Sequence, residues 1–155
     1  MNGTSADLGE ARTLAGALAS QTVDAIVGLC PPATLIAAMA DVFRTSPVRV
    51  GAQDCHDKPG GAHTGSLSVA MLREAGADMV IVGHSERRAA FGETDAQVAA
   101  KAGAAASGGL MPIICVGETQ DQRQAGQALD VISAQIEGSV SDTLRDTAFA
   151  IAYEP

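Results

Sequence analysis

The sequence predicts an α/β protein built on a parallel β-sheet, and three observations predict it. Five short apolar runs recur: DAIVGL from Asp24, VRVGA from Val48, MVIV from Met79, MPIICV from Met111 and FAIAY from Phe149. They are continuous rather than alternating, as in strands covered on both faces. The stretches between them carry helical periodicity, and the runs start at 24, 48, 79, 111 and 149, spaced by 24, 31, 32 and 38 residues. That is the cadence of repeated βαβ units.

Each element has its own signal. Before the first run, Leu8, Ala11, Ala15 and Leu18 share one helical face, with Thr4 or Ser5 as the opening cap. Leu35, Ala38, Met39 and Val42 mark the helix after DAIVGL. After VRVGA comes a polar, Gly-rich stretch, QDCHDKPGGAHTGS from Gln53 to Ser66, too long for an ordinary βα turn and expected to be functional. Gly76, Gly108 and Gly138 stand where helices should stop. Thr94 with Gln97 reads as a capping box ahead of an Ala-rich helix. Ala125, Leu129, Ile132 and Ile136 mark the helix before the last run. No low-complexity linker divides residues 1–155, so a single domain is expected.

Two architectures fit this pattern, an open doubly wound sheet or part of an eight-stranded barrel. A closed barrel takes about 250 residues, so a barrel here would be incomplete. A nucleotide-binding doubly wound sheet wants a Gly-rich turn after its first strand, and DAIVGLCPPATL places Pro31 and Pro32 there instead.

Composition narrows the partners. The 155 residues are 46% hydrophobic but only 3% aromatic, with no Trp, so the core must be aliphatic. The formal net charge of −8 opposes binding to a phosphate backbone, so no nucleic-acid partner is expected. A small anionic substrate stays admissible, because the local field of a cleft can oppose net charge. Cys30, Cys55 and Cys115 are odd in number and form no C-x-x-C pair. There is no secretory signal pattern and no apolar run of the roughly 18 residues a membrane span needs. The expectation is a reduced, cytoplasmic protein without a membrane partner.

In parallel α/β folds, ligands gather at the carboxyl ends of the strands. The polar residues that follow the runs are Gln53, His84, Glu118 and Glu154, and the parallel reading makes them converge on one rim. His84, in VIVGHSERR, follows a strand at the start of a short helix. A helix N-terminus disfavours added positive charge, which suits a neutral imidazole acting as a hydrogen-bond donor. Glu86, Arg87 and Arg88 read equally well as a solvated helix start. Ser85 is set aside as a nucleophile, because GHSER has Arg87 where the elbow needs its second Gly. Cys55, His56 and His63 are metal-ligand types, but C-H-x6-H is not a structural zinc spacing, and no metal is expected. Cys115, inside an apolar run, reads as a buried thiol. Glu154 ends the last run beside Tyr153. It is either a general base, strengthened by its partly dry position, or a carboxylate paired with a distant Arg or Lys.

Four segments together, GAQDCHDKPGGAHTGSLS, IVGHSERR, PIICVGET and IAYEP, closely resemble the triosephosphate isomerase family, in its order and at its spacing. The opening MNGT also looks like the segment just after that family's first strand. The resemblance implies a (β/α)₈ TIM barrel, here partial, with parallel strands two to six and the helices between them. It implies interconversion of dihydroxyacetone phosphate and D-glyceraldehyde 3-phosphate, with Glu154 as general base and His84 as electrophile. Ser85 and Glu86 would be supporting residues. The loop from Cys55 to Gly65, with Thr64 near its tip, would reach into the partner of a homodimer. The substrate would be a small phosphorylated triose, and no cofactor or metal is implied.

The sequence departs from the family at both ends. The family's N-x-K would precede Met1, so Asn2 is not the site asparagine, and the substrate-binding Asn and Lys are absent. The lid and the phosphate-binding strands would follow Pro155. A chain with about three-fifths of a typical barrel is then expected to show little activity alone. A different kind of reading also remains: a non-catalytic half-barrel whose open sheet edges make it an assembly or binding module.

Overall fold

The sheet settles the choice of architecture. In the computed structural model, which describes residues 2–22 and 24–154, five strands lie in chain order: β1 (Gly28–Leu29), β2 (Arg49–Ala52), β3 (Met79–Val82), β4 (Met111–Val116) and β5 (Ala150–Tyr153). Every neighbouring pair is parallel. A doubly wound sheet reverses its strand order at a switch point. This one does not, and forms the arc of a barrel. Met1 and Pro155, the outer residues of the MNGT and IAYEP motifs, lie outside the described residues.

Seven helices run between and before the described strands: α1 (Leu8–Leu18), α2 (Ile36–Phe43), α3 (Val69–Glu74), α4 (Ser85–Phe91), α5 (Asp95–Ser107), α6 (Gln120–Gln124) and α7 (Ala128–Ser139). The core is aliphatic, as the composition requires. Val80, Val82 and Ile114 from the central strands are fully buried with Val98, Ala102 and Ala105 of α5. The alanines let α5 lie close on β3 and β4, and each fully buried Val or Ile contributes about 1.5–3 kcal/mol. The expected capping box starts α5: Thr94 N–H donates to Gln97 Oε1 at 2.9 Å, and Gln97 N–H donates to Thr94 Oγ1 at 3.3 Å. At the first helix, Thr4 N–H donates to the Asp7 carboxylate at 2.6 Å, at the head of a short 3₁₀ turn that leads into α1.

Three expectations need correction. Only Gly28 and Leu29 of DAIVGL pair as strand, with Val27 O accepting the Arg49 N–H at 2.9 Å, and Ile26 is exposed. The helix marked by Ala125, Leu129, Ile132 and Ile136 is two helices. Gly126 has φ +75°, a left-handed turn that ends α6 before α7 begins, and Leu129 is exposed. Gly138 lies inside α7 rather than at its stop.

The stretch from Gln53 to Ser66 is the long loop that its composition predicts. It is exposed from Lys58 to Ser66. Its base is closed where His56 N–H donates to Leu67 O at 2.8 Å, beside a parallel bridge between His56 and Ser68.

Candidate active site

β3 ends at Val82, and Gly83, with φ +71°, turns the chain into α4. His84 is the N-cap of α4. Its Nδ1 accepts the Glu86 N–H at 3.3 Å. A ring nitrogen that accepts an N–H carries no hydrogen of its own, so the imidazole is neutral with its hydrogen on Nε2. Nε2 lies 2.9 Å from Glu154 Oε1. Glu154 Oε2 accepts the Ser85 N–H at 3.2 Å. The start of α4 thus serves both side chains with main-chain donors, and its dipole favours the anionic partner.

Glu154 is held from the strand side as well. Its N–H donates to Val116 O at 2.9 Å, continuing β5 along β4. A Cβ on Gly117 would stand 1.8 Å from the Glu154 carbonyl oxygen. Only glycine admits that approach, and Gly117 is a site residue that sequence reasoning passed over. Both functional side chains stay about a third exposed, open to a ligand from the rim. The second reading of Glu154 is not met among the described residues: no Lys or Arg pairs with it, and its partners are His84 and the Ser85 amide.

The other rim residues do structural work. Glu118 is buried, and its Oε1 accepts Tyr153 OH at 3.0 Å and Arg123 Nη2 at 2.7 Å. Its own backbone amide, then Tyr153 and Arg123, hold its carboxyl below the usual range. Glu118 therefore anchors Tyr153, the residue before Glu154, rather than facing the His84–Glu154 pair. Gln53 Nε2 donates to Cys30 O at 3.0 Å and ties the end of β2 to the end of β1. Ser85 and Glu86 are exposed and contribute main-chain N–H groups. Thr64 is exposed on the long loop.

The solvated reading of Glu86, Arg87 and Arg88 holds for Glu86 alone. Arg87 reaches Asp54 at 3.0 Å and Glu93 at 2.7 Å, and Lys101 bridges the same two carboxylates at 2.7 and 2.6 Å. The candidate metal ligands do not converge. Cys55 Sγ is buried against Lys101 O at 3.8 Å, while the His56 and His63 rings stack with centroids 3.9 Å apart. Among the described residues no cluster of three or more His, Cys, Asp or Glu side chains could hold a metal ion. No described helix is long and apolar enough to cross a membrane. Cys115 is buried as expected. Burial, then the nearby Glu154 carboxylate, pushes its thiol up to about 12.

Comparison with known proteins matches the chain over its full length. The family model described as "Triosephosphate isomerase" matches residues 1–155. A protein of Ruegeria pomeroyi named triosephosphate isomerase is 55% identical over 155 residues, covering all of this chain and 61% of its own length. One from Caulobacter vibrioides, of the same name, is 49% identical with the same coverage. The crystal structure of triosephosphate isomerase from Bartonella henselae superposes with a TM-score of 0.92 at 43% identity, covering all of this chain and 64% of that one. The chain spans about 61% of the length of the curated relatives it matches. On the full-length match to the family model, the chain belongs to the triosephosphate isomerase family.

Proposed function

We propose that this chain carries the proton-transfer centre of a triosephosphate isomerase, acting on dihydroxyacetone phosphate and D-glyceraldehyde 3-phosphate. The observation that carries the reading is the contact between Glu154 and a His84 ring fixed as the neutral Nε2–H tautomer. Glu154 removes a proton from the carbon beside the substrate carbonyl. His84 Nε2–H donates to the oxygen on which negative charge develops, so an enediol or enediolate forms without a buried imidazolium. Glu154 returns the proton to the neighbouring carbon. The conversion is redox-neutral within one molecule, so it requires proton transfer and no electron acceptor. Without substrate the two side chains are in contact, and the substrate enters between them.

The same reading makes the long loop, with Thr64 near its tip, the arm of a homodimer in the cytoplasm. In its support, the loop is exposed yet closed at its base by a backbone hydrogen bond. The family's substrate-binding Lys and phosphate-binding strands are not among these 155 residues, so the chain alone is expected to turn over little substrate. Remote phosphate binding supplies energy on which the chemistry draws.

A chimera tests the proposal, with residues 1–155 replacing the matching part of the Ruegeria pomeroyi relative. A coupled isomerase assay is expected to find activity. Glu154→Gln should lower kcat by on the order of 10²- to 10⁴-fold. A folded, active chimera whose kcat ignores Glu154→Gln would sink the assignment.

A further inference from the structure

The geometry points to Arg88 as a positioning residue for the His84–Glu154 pair, an inference that rests on the proton-transfer reading above. Arg88 lies in the first turns of α4, and its guanidinium meets four other segments. Nε donates to Gly83 O at 2.8 Å, and Nη2 donates to Cys115 O at 3.3 Å. Nη1 donates to Asp95 Oδ1 at 2.6 Å, and Nη2 also donates to Ser139 Oγ at 3.2 Å. Ser139 is completely buried and in turn donates to Asp95 Oδ1 at 3.2 Å. One planar group therefore joins the end of β3, the upper part of β4, the start of α5 and the end of α7.

Two of these acceptors bear on the site. The Gly83 carbonyl belongs to the peptide that carries the His84 nitrogen, so the hydrogen bond from Nε fixes the plane from which His84 projects. Cys115 pairs with Ala152, and the next residue, Val116, accepts the Glu154 N–H. By gripping Gly83 O and Cys115 O together, the guanidinium sets the distance between the strand that presents His84 and the strand that seats Glu154. Gly83 is fitted to this grip. A Cβ there would stand 2.8 Å from the Val98 methyls and 3.2 Å from Arg88 Nη2. A guanidinium is a rigid fork, whereas lysine is a single point charge on a flexible stem. Lysine at this position can still pair with Asp95 but cannot bridge both carbonyls.

The deciding measurement is the ring tautomer of His84 by multiple-bond ¹H–¹⁵N NMR of the histidine-labelled chain near pH 7.5. His84→Gln identifies the signals. The parent is expected to show the Nε2–H tautomer alone. Arg88→Lys should give a mixture of tautomers, because the Gly83 peptide is no longer held. Asp95→Asn breaks the ion pair but leaves both carbonyl contacts, so it should keep the single tautomer while lowering the urea midpoint. In the chimera, Arg88→Lys should lower kcat by on the order of tenfold with KM nearly unchanged, the signature of a misplaced acid–base pair. A single tautomer in a folded Arg88→Lys chain overturns the inference. So does a lysine variant that fails to fold while Asp95→Asn folds, since Arg88 would then act through stability. The tautomer readout needs no substrate. Mixed tautomers with an inactive chimera would leave the positioning role standing and remove the isomerase reading. An active chimera with an unmoved tautomer does the reverse.

Discussion

Glu93 shows how single side chains here are fixed by charge as much as by packing. Its Oε1 accepts from Lys101 at 2.6 Å and from Arg87 at 2.7 Å, its side chain is 6% exposed, and its Oε2 is buried with no hydrogen-bond partner among the described residues. Burial alone would raise its pKa, but the hydrogen bonds and charges of Lys101 and Arg87 outweigh burial and hold the carboxyl below the usual glutamate range. The sign of the linkage follows. A group whose folded pKa is depressed stabilises the fold above its unfolded value, about 4.3 for glutamate. That contribution is lost as pH falls through the lower folded value. Glu93→Gln should therefore cost about 2 kcal/mol at pH 7, the scale of a hydrogen bond to a charged group. It should also flatten the decline of stability below about pH 4.3. Urea midpoints measured from pH 7 downward check both effects, and an acid limb as steep as the parent's would refute the assignment. Asp54, which also meets Arg87 and Lys101, limits the damage, because neither cation is left alone.

At the scale of elements, the same local device has different consequences according to what the helix buries. Thr94 with Gln97 caps α5, and Thr119 with Gln122 makes the same box on α6. α5 buries Val98, Ala102 and Ala105, whereas α6 buries nothing. Thr94→Ala should cost about 1 kcal/mol of global stability. Thr119→Ala should cost much less, because α6 can fray without opening the core. Thermal denaturation of the two variants makes the comparison, and equal losses would show that burial does not decide the effect. Burial also explains what was legible in the sequence. MVIV and MPIICV are strands to the residue, because runs covered on both faces leave no ambiguity of period. DAIVGL reads too long, since only pairing, which lies in the tertiary structure, decides how much apolar chain is strand. The break between α6 and α7 hides inside a helical period that runs straight through Gly126. At the site, His84 and Glu154 were legible as strand-end residues. The Ser85 and Glu86 contributions were not, because they come from main-chain N–H groups. The reach of Arg88 was hidden too, because its acceptors lie up to 51 residues away.

The whole molecule is a barrel arc whose described edge strands, β1 and β5, each pair on one side only. Unpaired backbone on an edge strand is a template for another chain. β5 adds apolar surface to its edge: Ile151 is 40% and Tyr153 50% exposed. Net charge opposes this pull, since −8 on 155 residues makes copies repel at long range. The balance is therefore expected to shift with salt. At 0.5 M ionic strength the screening length falls to about 4 Å, so repulsion is removed while edge pairing and apolar contact persist. The 155-residue chain at micromolar concentration should associate more at high salt than at low salt, by size-exclusion chromatography with light scattering. Ile151→Lys should reduce that association, because it places a charge on the edge. The chimera with the Ruegeria pomeroyi segments, which supplies neighbours for both edges, should give one defined species whose size ignores salt. A chain that stays monomeric at high salt would mean that β5 and β1 protect their own edges. It would also remove the support that open edges lend to an assembly or binding role.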